Sequence, residues 1–346
     1  MSINIRPSRL RQFGDPRGAT FCVITDAELA EQIVIDETSG YADCRMFVAR
    51  DIDDFDRLLT HDIPQRAHVA VMSPNVFFRS PRPAILGPGR KLLGMACNST
   101  PTSAATVEHF LGVMEDTDAQ AQQAFAEAFF DRGRAAEQFA FIDERWGTRA
   151  TFDHLDETYE WNQQAGPLEW GEQQIAPSGE LSVLPMEILQ LDETKSLQIN
   201  GQIALCGYPI LHSGTGPFER SDQTRKHAEL ATMRDQAVIA HVERGVVTKL
   251  EATGPSAEPA RRTLQVLFDS DARYRILWEV GFAINTSLRL LEGNHAMNEV
   301  FGGTQGAIHW GFGLTPYTQY HLDIISPGTT VADERGRWVF GGAGSA

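Results

Sequence analysis

Between Glu180 and Ile325 the sequence carries five runs that read as strands, and they commit this half of the chain to a sheet-built fold. They are "ELSVLPMEILQ", "SLQINGQIALCG", "AVIAHVERGVVTKLEA", "AIHWGFG" and "QYHLDII". Glycine, proline and asparagine split them, the residues that turn or break a strand. The third run has Arg244-Gly245 near its middle and reads as a hairpin. One helical segment, "SAEPARRTLQVLFDS", interrupts the series, with Pro259 near its first turn, where a missing N–H costs nothing.

The earlier part has a different rhythm. "ATFCVITD" and "AHVAVMSP" read as short buried strands ending in turn residues, and "ELAEQIVIDE" between them fits helix or strand. From Thr100 the period becomes helical, with Val107, Phe110, Leu111 and Met114 recurring at three and four residues and Thr102 or Ser103 as the cap. The expected fold class is therefore α/β: an N-terminal α/β domain over residues 1–146, followed by a strand-rich α+β domain over residues 147–346. The closing "FGGAGSA" is expected to fray.

Charge and composition exclude some functions. The chain has 346 residues, with 46 acids against 30 bases, a formal charge of −16. Such a field repels polyanions, which argues against nucleic acid or an anionic membrane as partner and is compatible with metal cations. No window approaches roughly 18 consecutive apolar residues, the length that crosses a bilayer. "MSINIRPSRLRQFGDPRG" lacks the apolar core of a secretory signal, so a cytoplasmic location is expected. Cys22, Cys44, Cys97 and Cys206 are scattered without a CxxC and read as apolar thiols, so metal ligands must come from histidines and carboxylates.

Five such side chains sit inside apolar strand runs. "PSGELSVLP" places Glu180 at a strand start, "RYRILWEVGFAIN" places Glu279 between Trp278 and Val280, and "AIHWGFG" holds His309. "YHLDII" holds His321 and Asp323 at i and i+2, hence on one strand face, with Leu322 packed on the other. Singly, each has a bland reading: a salt-bridged glutamate or a satisfied core histidine. Together they are costly, because a buried carboxylate loses several kcal/mol unless paired or coordinated. Arg273 and Arg275 flank Glu279 as candidate counter-ions. The set suits zinc, cobalt or manganese, and a pair of ions rather than one. Two ions that activate a water and polarise a carbonyl together imply hydrolysis of an amide or peptide bond.

At these residues the sequence resembles the metal-dependent aminopeptidases of the aminopeptidase T and aminopeptidase S type, from about Gly147 onward. Their pattern is a glutamate in a "GE…P" strand, a glutamate before a "G…N" strand, a histidine strand, a following tyrosine and an HxD. The resemblance implies Glu180, Glu279, His309, Tyr317, His321 and Asp323 around two divalent ions, zinc first, with cobalt or manganese as alternatives. It implies a small peptide or amide substrate and a homodimer. Tyr317, with Tyr320 as rival, is assigned to the metals or to the developing oxyanion. Glu299 in "MNEVFGG" and Glu187 in "PMEI" are candidates for general base, Glu187 reading better as a surface acid. His241 and His295 read as structural. The stretch from His309 to His321 is short for that family, and "SDQTRKHAELATMRDQ" reads as an insertion. The sequence is also similar to the ring-cleaving dihydroxypyridine dioxygenases, which hold one ferrous ion with two histidines and an aspartate; the first of those histidines falls at Glu279 here. A non-catalytic descendant that binds a peptide or protein partner is the further alternative.

Overall fold

A computed structural model describes residues 2–36, 40–186, 195–214, 216, 218–314 and 317–341. Glu187 and the last five residues of the "FGGAGSA" tail lie outside the described residues. The chain opens with β1 (Ile3–Ile5), β2 (Thr20–Thr25), α1 (Ala27–Ala30), β3 (Ile33–Ile35) and β4 (Asp43–Val48). α2 (Ile52–Arg57), β5 (Ala67–Met72), α3 (Pro83–Leu86), β6 (Arg90–Met95), α4 (Ala104–Asp116) and α5 (Ala119–Ala135) follow. Next come β7 (Phe139–Asp143), β8 (Thr148–Phe152), β9 (Tyr159–Gln164), β10 (Gln173–Ala176), β11 (Glu180–Pro185), β12 (Ile199–Leu205) and β13 (Tyr208–Ser213). The chain continues through α6 (Arg220–Leu230), β14 (Val238–Glu243), β15 (Val246–Ala252), α7 (Glu258–Ser270) and β16 (Leu277–Ala283). It ends in β17 (Ala307–Phe312), β18 (Tyr320–Ser326), β19 (Thr330–Ala332) and β20 (Trp338–Phe340). The mixed α/β class expected from the sequence is what the structure has.

Two compact units form. The first comprises residues 1–123, 164–179 and 287–297; the second comprises 124–163, 180–286 and 298–346. The sequence expectation placed one division after residue 146; in the structure the units interleave along the chain.

The first unit is built on a parallel sheet ordered β10-β6-β5-β2-β4. Its interior strands β5 and β6 are buried at every position, as in a sheet covered on both faces, even though β5 carries His68 and β6 opens with Arg90 and Lys91. Cys22 and Ile24 of β2 pack with Phe55, Leu58, Leu59 and Leu86 of the covering helical segments. The ambiguous "ELAEQIVIDE" is both things: α1 for one turn, capped by Asp26, whose Oδ1 accepts from the N–H groups of Glu28 and Leu29 at 3.1 and 3.0 Å, and then β3. Ser103, rather than Thr102, caps α4, its Oγ accepting from Thr106 N at 3.2 Å.

The second unit holds a seven-stranded sheet, β15-β14-β12-β8-β7-β19-β20, and a six-stranded sheet, β13-β18-β17-β16-β11-β9. The β14–β15 hairpin turns on Arg244 and Gly245 at φ 49° and 74°, the pair of positive φ values that a two-residue hairpin turn requires. An aromatic core joins the two sheets. Phe141 of β7 meets Phe282 of β16 at 6.4 Å and Trp310 of β17 at 4.9 Å between ring centroids. The apparent insertion forms α6, tied down where the Gln223 side chain donates to Leu211 O at 2.6 Å.

Candidate metal centre

Five of the expected site residues, Glu180, Glu279, His309, His321 and Asp323, meet on one face of the six-stranded sheet. Strand alternation sends Val280, Phe282, Trp310, Leu322 and Ile324 into the core and their neighbours to the other side. Register then assembles that other side. Gly311 of β17 lies between Glu279 of β16 and Asp323 of β18. His309 lies opposite Gly281, and Glu180 of β11 opposite Ala283. A bulge between Leu277 and Glu279 leaves Trp278 without a partner on β17, a local kink of the kind that re-aims a neighbouring side chain.

Gly281 and Gly311 make the room. A Cβ on Gly281 would stand 1.9 Å from the His309 ring, which lies over that position. A Cβ on Gly311 would stand 2.7 Å from Cβ of Glu279 and 3.3 Å from both Asp323 Oδ1 and His321 Cε1. Only a residue without a side chain lets the ligand-type groups on either side converge above the backbone.

The convergence is close. One donor atom from each of Glu279, Glu299, His309 and Asp323 lies within 4.8 Å of the others. Nε2 of His309 is 3.4 Å from Glu180 Oε1 and 3.6 Å from Glu299 Oε1. Nε2 of His321 is 3.2 Å from Asp323 Oδ2 and 3.7 Å from Glu279 Oε2. Nδ1 of His321 is 2.8 Å from Gly313 O, to which it donates, so Nε2 is the nitrogen turned to the acids. His309 and Asp323 are wholly buried. Neither nitrogen of His309, neither oxygen of Asp323 and not Oε1 of Glu180 makes a hydrogen bond of acceptable geometry. Buried polar atoms are rarely left so, and His309 Nε2, Glu180 Oε1 and Asp323 Oδ2 all face neighbouring members of this cluster.

The electrostatics follow from crowding. Burial, reinforced by Glu180 and Asp323, pushes the Glu279 carboxyl up to about 7. Burial and then Asp323 and Glu180 hold Glu299 well above the usual carboxylate range. Burial works against protonation of His309 and His321, but Glu180 raises the first to about 9 and Asp323 raises the second to about 10. Burial also opposes the charge of Asp323; the imidazoles of His321 and His212 outweigh it and hold the carboxyl low. Arg273 and Arg275, which flank Glu279 in the sequence, pair with Asp271 and Asp269.

Glu180, Glu279, Glu299, His309, His321 and Asp323 are thus brought together. Tyr317 packs beside Trp278 and Leu314 in an apolar cluster. Its rival Tyr320 points away into the core, its hydroxyl donating to Asp222 at 2.6 Å. His241 pairs with Glu251 at 2.8 Å, and His295 lies 3.0 Å from Glu292 O, both outside the group. Sequence reasoning missed His212, whose Nε2 is 3.0 Å from Asp323 Oδ2. The only signal was a histidine closing the apolar run "YPILHS".

The residues fit divalent metal. The donors are carboxylate oxygens and imidazole nitrogens, several have no other partner, and glycines hold the space open. Known structures share this architecture. A 2,5-dihydroxypyridine dioxygenase from Pseudomonas putida superimposes with a TM-score of 0.54 over 92% of this chain and 89% of its own, at 15% identity. AmpT from Thermus thermophilus aligns over 96% of this chain and 98% of its own at 13% identity, with a TM-score of 0.49. The likeness is one of fold. No protein-family model matches the sequence. No curated protein sequence matches it either.

Proposed function

We propose that the chain is a metal-dependent hydrolase that cleaves an amide or peptide bond of a small peptide or metabolite. In this reading the centre takes two divalent ions, zinc first, with cobalt or manganese as alternatives. The observation that carries it is the charge of the donor set. Glu180, Glu279, Glu299 and Asp323 share one pocket with His309 and His321. With neutral imidazoles as ligands, four carboxylates are balanced by two divalent ions and left two charges short by one. Uncompensated buried charge costs several kcal/mol, so the arithmetic favours the pair.

Bound there, the ions supply a water of lowered pKa and polarise the scissile carbonyl. The chain's own part is to hold and orient. His321 is locked through Gly313 O, and the strand register fixes the spacing of Glu279 and Asp323. Glu299 is the most open of the four acids, 16% exposed against 13% for Glu279, 6% for Glu180 and 0% for Asp323. That makes it the acid placed to take a proton from an entering water. Tyr317 as oxyanion donor rests on the aminopeptidase resemblance alone. A homodimer, also from that resemblance, belongs to the same proposal.

A second reading, a mononuclear iron dioxygenase, has the shared fold and the His321–Asp323 pair in its favour. Glu279 where that group has a histidine, with Glu180 and Glu299 as two further acids beside it, weighs against it. Reconstitution with zinc, cobalt, manganese or ferrous ion separates the two. Hydrolysis of amino-acid amides or short peptides that is lost in Asp323→Asn, with unchanged circular dichroism, supports the hydrolase. Oxygen uptake with a dihydroxylated ring in the ferrous form, and no hydrolysis in any form, supports the dioxygenase.

A further inference from the structure

We propose that His212 is a direct metal ligand and that it makes the two halves of the centre chemically unequal. The inference rests on the dinuclear reading and adds to it a residue that neither the sequence pattern nor the resemblance supplied. Strand pairing places His212 of β13 directly across from His321 of β18, which turns both rings to the same sheet face. Their centroids are 5.6 Å apart. Nε2 of each ring approaches the same oxygen of Asp323, at 3.0 Å from His212 and 3.2 Å from His321. That oxygen accepts no hydrogen bond of acceptable geometry. Two imidazole nitrogens and a carboxylate oxygen at such separations have the spacing of neighbouring ligands. Atoms about 2.1 Å from a tetrahedral ion stand about 3.4 Å from one another. The His212 side chain is 12% exposed and held in the sheet, so it is poised rather than free to swing in from solvent.

This assignment divides the donors. The half on β13 and β18 gathers His212, His321 and Asp323. The half toward β11 gathers His309, Glu180 and Glu299. Glu279 reaches both, with Oε2 3.7 Å from His321 Nε2 and a donor within 4.8 Å of His309 and Glu299. The first half is rich in imidazole and the second in carboxylate. Imidazole favours zinc and cobalt, whereas carboxylates suit manganese and magnesium. The two ions therefore bind in sequence, the tighter one beside His212.

Cobalt(II) titration of the chelator-treated full chain tests this, read by visible absorption and by metal retained after gel filtration. The wild type is expected to fill in two steps separated by about tenfold or more in Kd. His212→Ala is expected to lose the tighter step and its absorption bands, keeping about one equivalent. His212→Asn, checked by circular dichroism, provides a second, more conservative variant. If the wild type takes two equivalents and the folded variants match it in affinity and spectrum, His212 is no ligand, and the dinuclear reading survives without it. If the wild type itself takes less than about one equivalent, both fail together.

Discussion

At the residue scale, the centre depends as much on two missing side chains as on the ligands. Gly281→Ala puts a methyl 1.9 Å from the His309 ring, and that ring has no slack in a buried site. The expected result is a metal affinity at least about tenfold weaker and a stability loss of about 1–3 kcal/mol, read by metal titration and by thermal or urea unfolding. A second residue-scale test lies in the first unit. His68 is buried, stacked on Phe13 at 4.9 Å, with Nδ1 2.8 Å from the Tyr41 hydroxyl. Burial, then Lys91 and Arg66, push its pKa from 6.5 down to about 4. Between those values the unfolded chain binds a proton that the folded chain refuses. Its contribution to stability is thus complete above pH 6.5 and falls as the pH drops toward about 4. In an NMR titration the His68 ring signals should stay still until below about pH 5; a midpoint near 6.5 would contradict this. The strand acids and imidazoles were legible in the sequence because such groups inside apolar runs demand an explanation. The convergence of Glu299 on them and the approach of His212 to Asp323 were not. Their places depend on how distant segments meet, and a sequence read along its length does not contain that register.

At the element scale, β18 shows how one strand serves two environments. His321 and Asp323 face the centre, while Leu322, wholly buried, faces the core with Phe312 and Leu211 as its neighbours across the sheet. The two faces should respond oppositely to mutation. His321→Ala removes a proposed ligand and is expected to abolish tight metal binding with circular dichroism unchanged. Leu322→Asp buries an uncompensated charge and is expected to cost about 4 kcal/mol or more, seen as unfolding or aggregation. Equal loss of secondary structure in both would show that the site face is part of the core. Elements were legible where local chemistry decides them. The Arg244-Gly245 turn, and a cap for α4 at Thr102 or Ser103, follow from one or two residues; the structure has Ser103. "ELAEQIVIDE" resisted because a single helical turn and a three-residue strand are both too short to show a period.

At the scale of the whole molecule, the α/β beginning and strand-rich continuation were legible, since hydrophobic period changes from one to the other. The interleaving of the two units was not. Segments 164–179 and 287–297 belong with the first unit through contacts far apart along the chain. No helix among the described residues is long and apolar enough to cross a membrane. The chain's mass is 38.3 kDa, and the homodimer proposed with the hydrolase should give about twice that by light scattering at micromolar concentration. A mass near 38.3 kDa across the concentration range would set the dimer aside without touching the metal centre.

The central claim is that the cluster formed by four carboxylates and the histidines beside them takes a pair of divalent ions. Elemental analysis of the protein purified without chelator and mildly dialysed tests it most directly, alongside the shift in melting temperature on adding zinc, cobalt or manganese. The expected result is about two equivalents per chain and a rise in melting temperature with added metal, since an ion that binds only the folded state stabilises it by mass action. Less than about 0.2 equivalents, with no shift from any of the three metals, would mean that these buried acids and imidazoles are core polar groups and not a metal site.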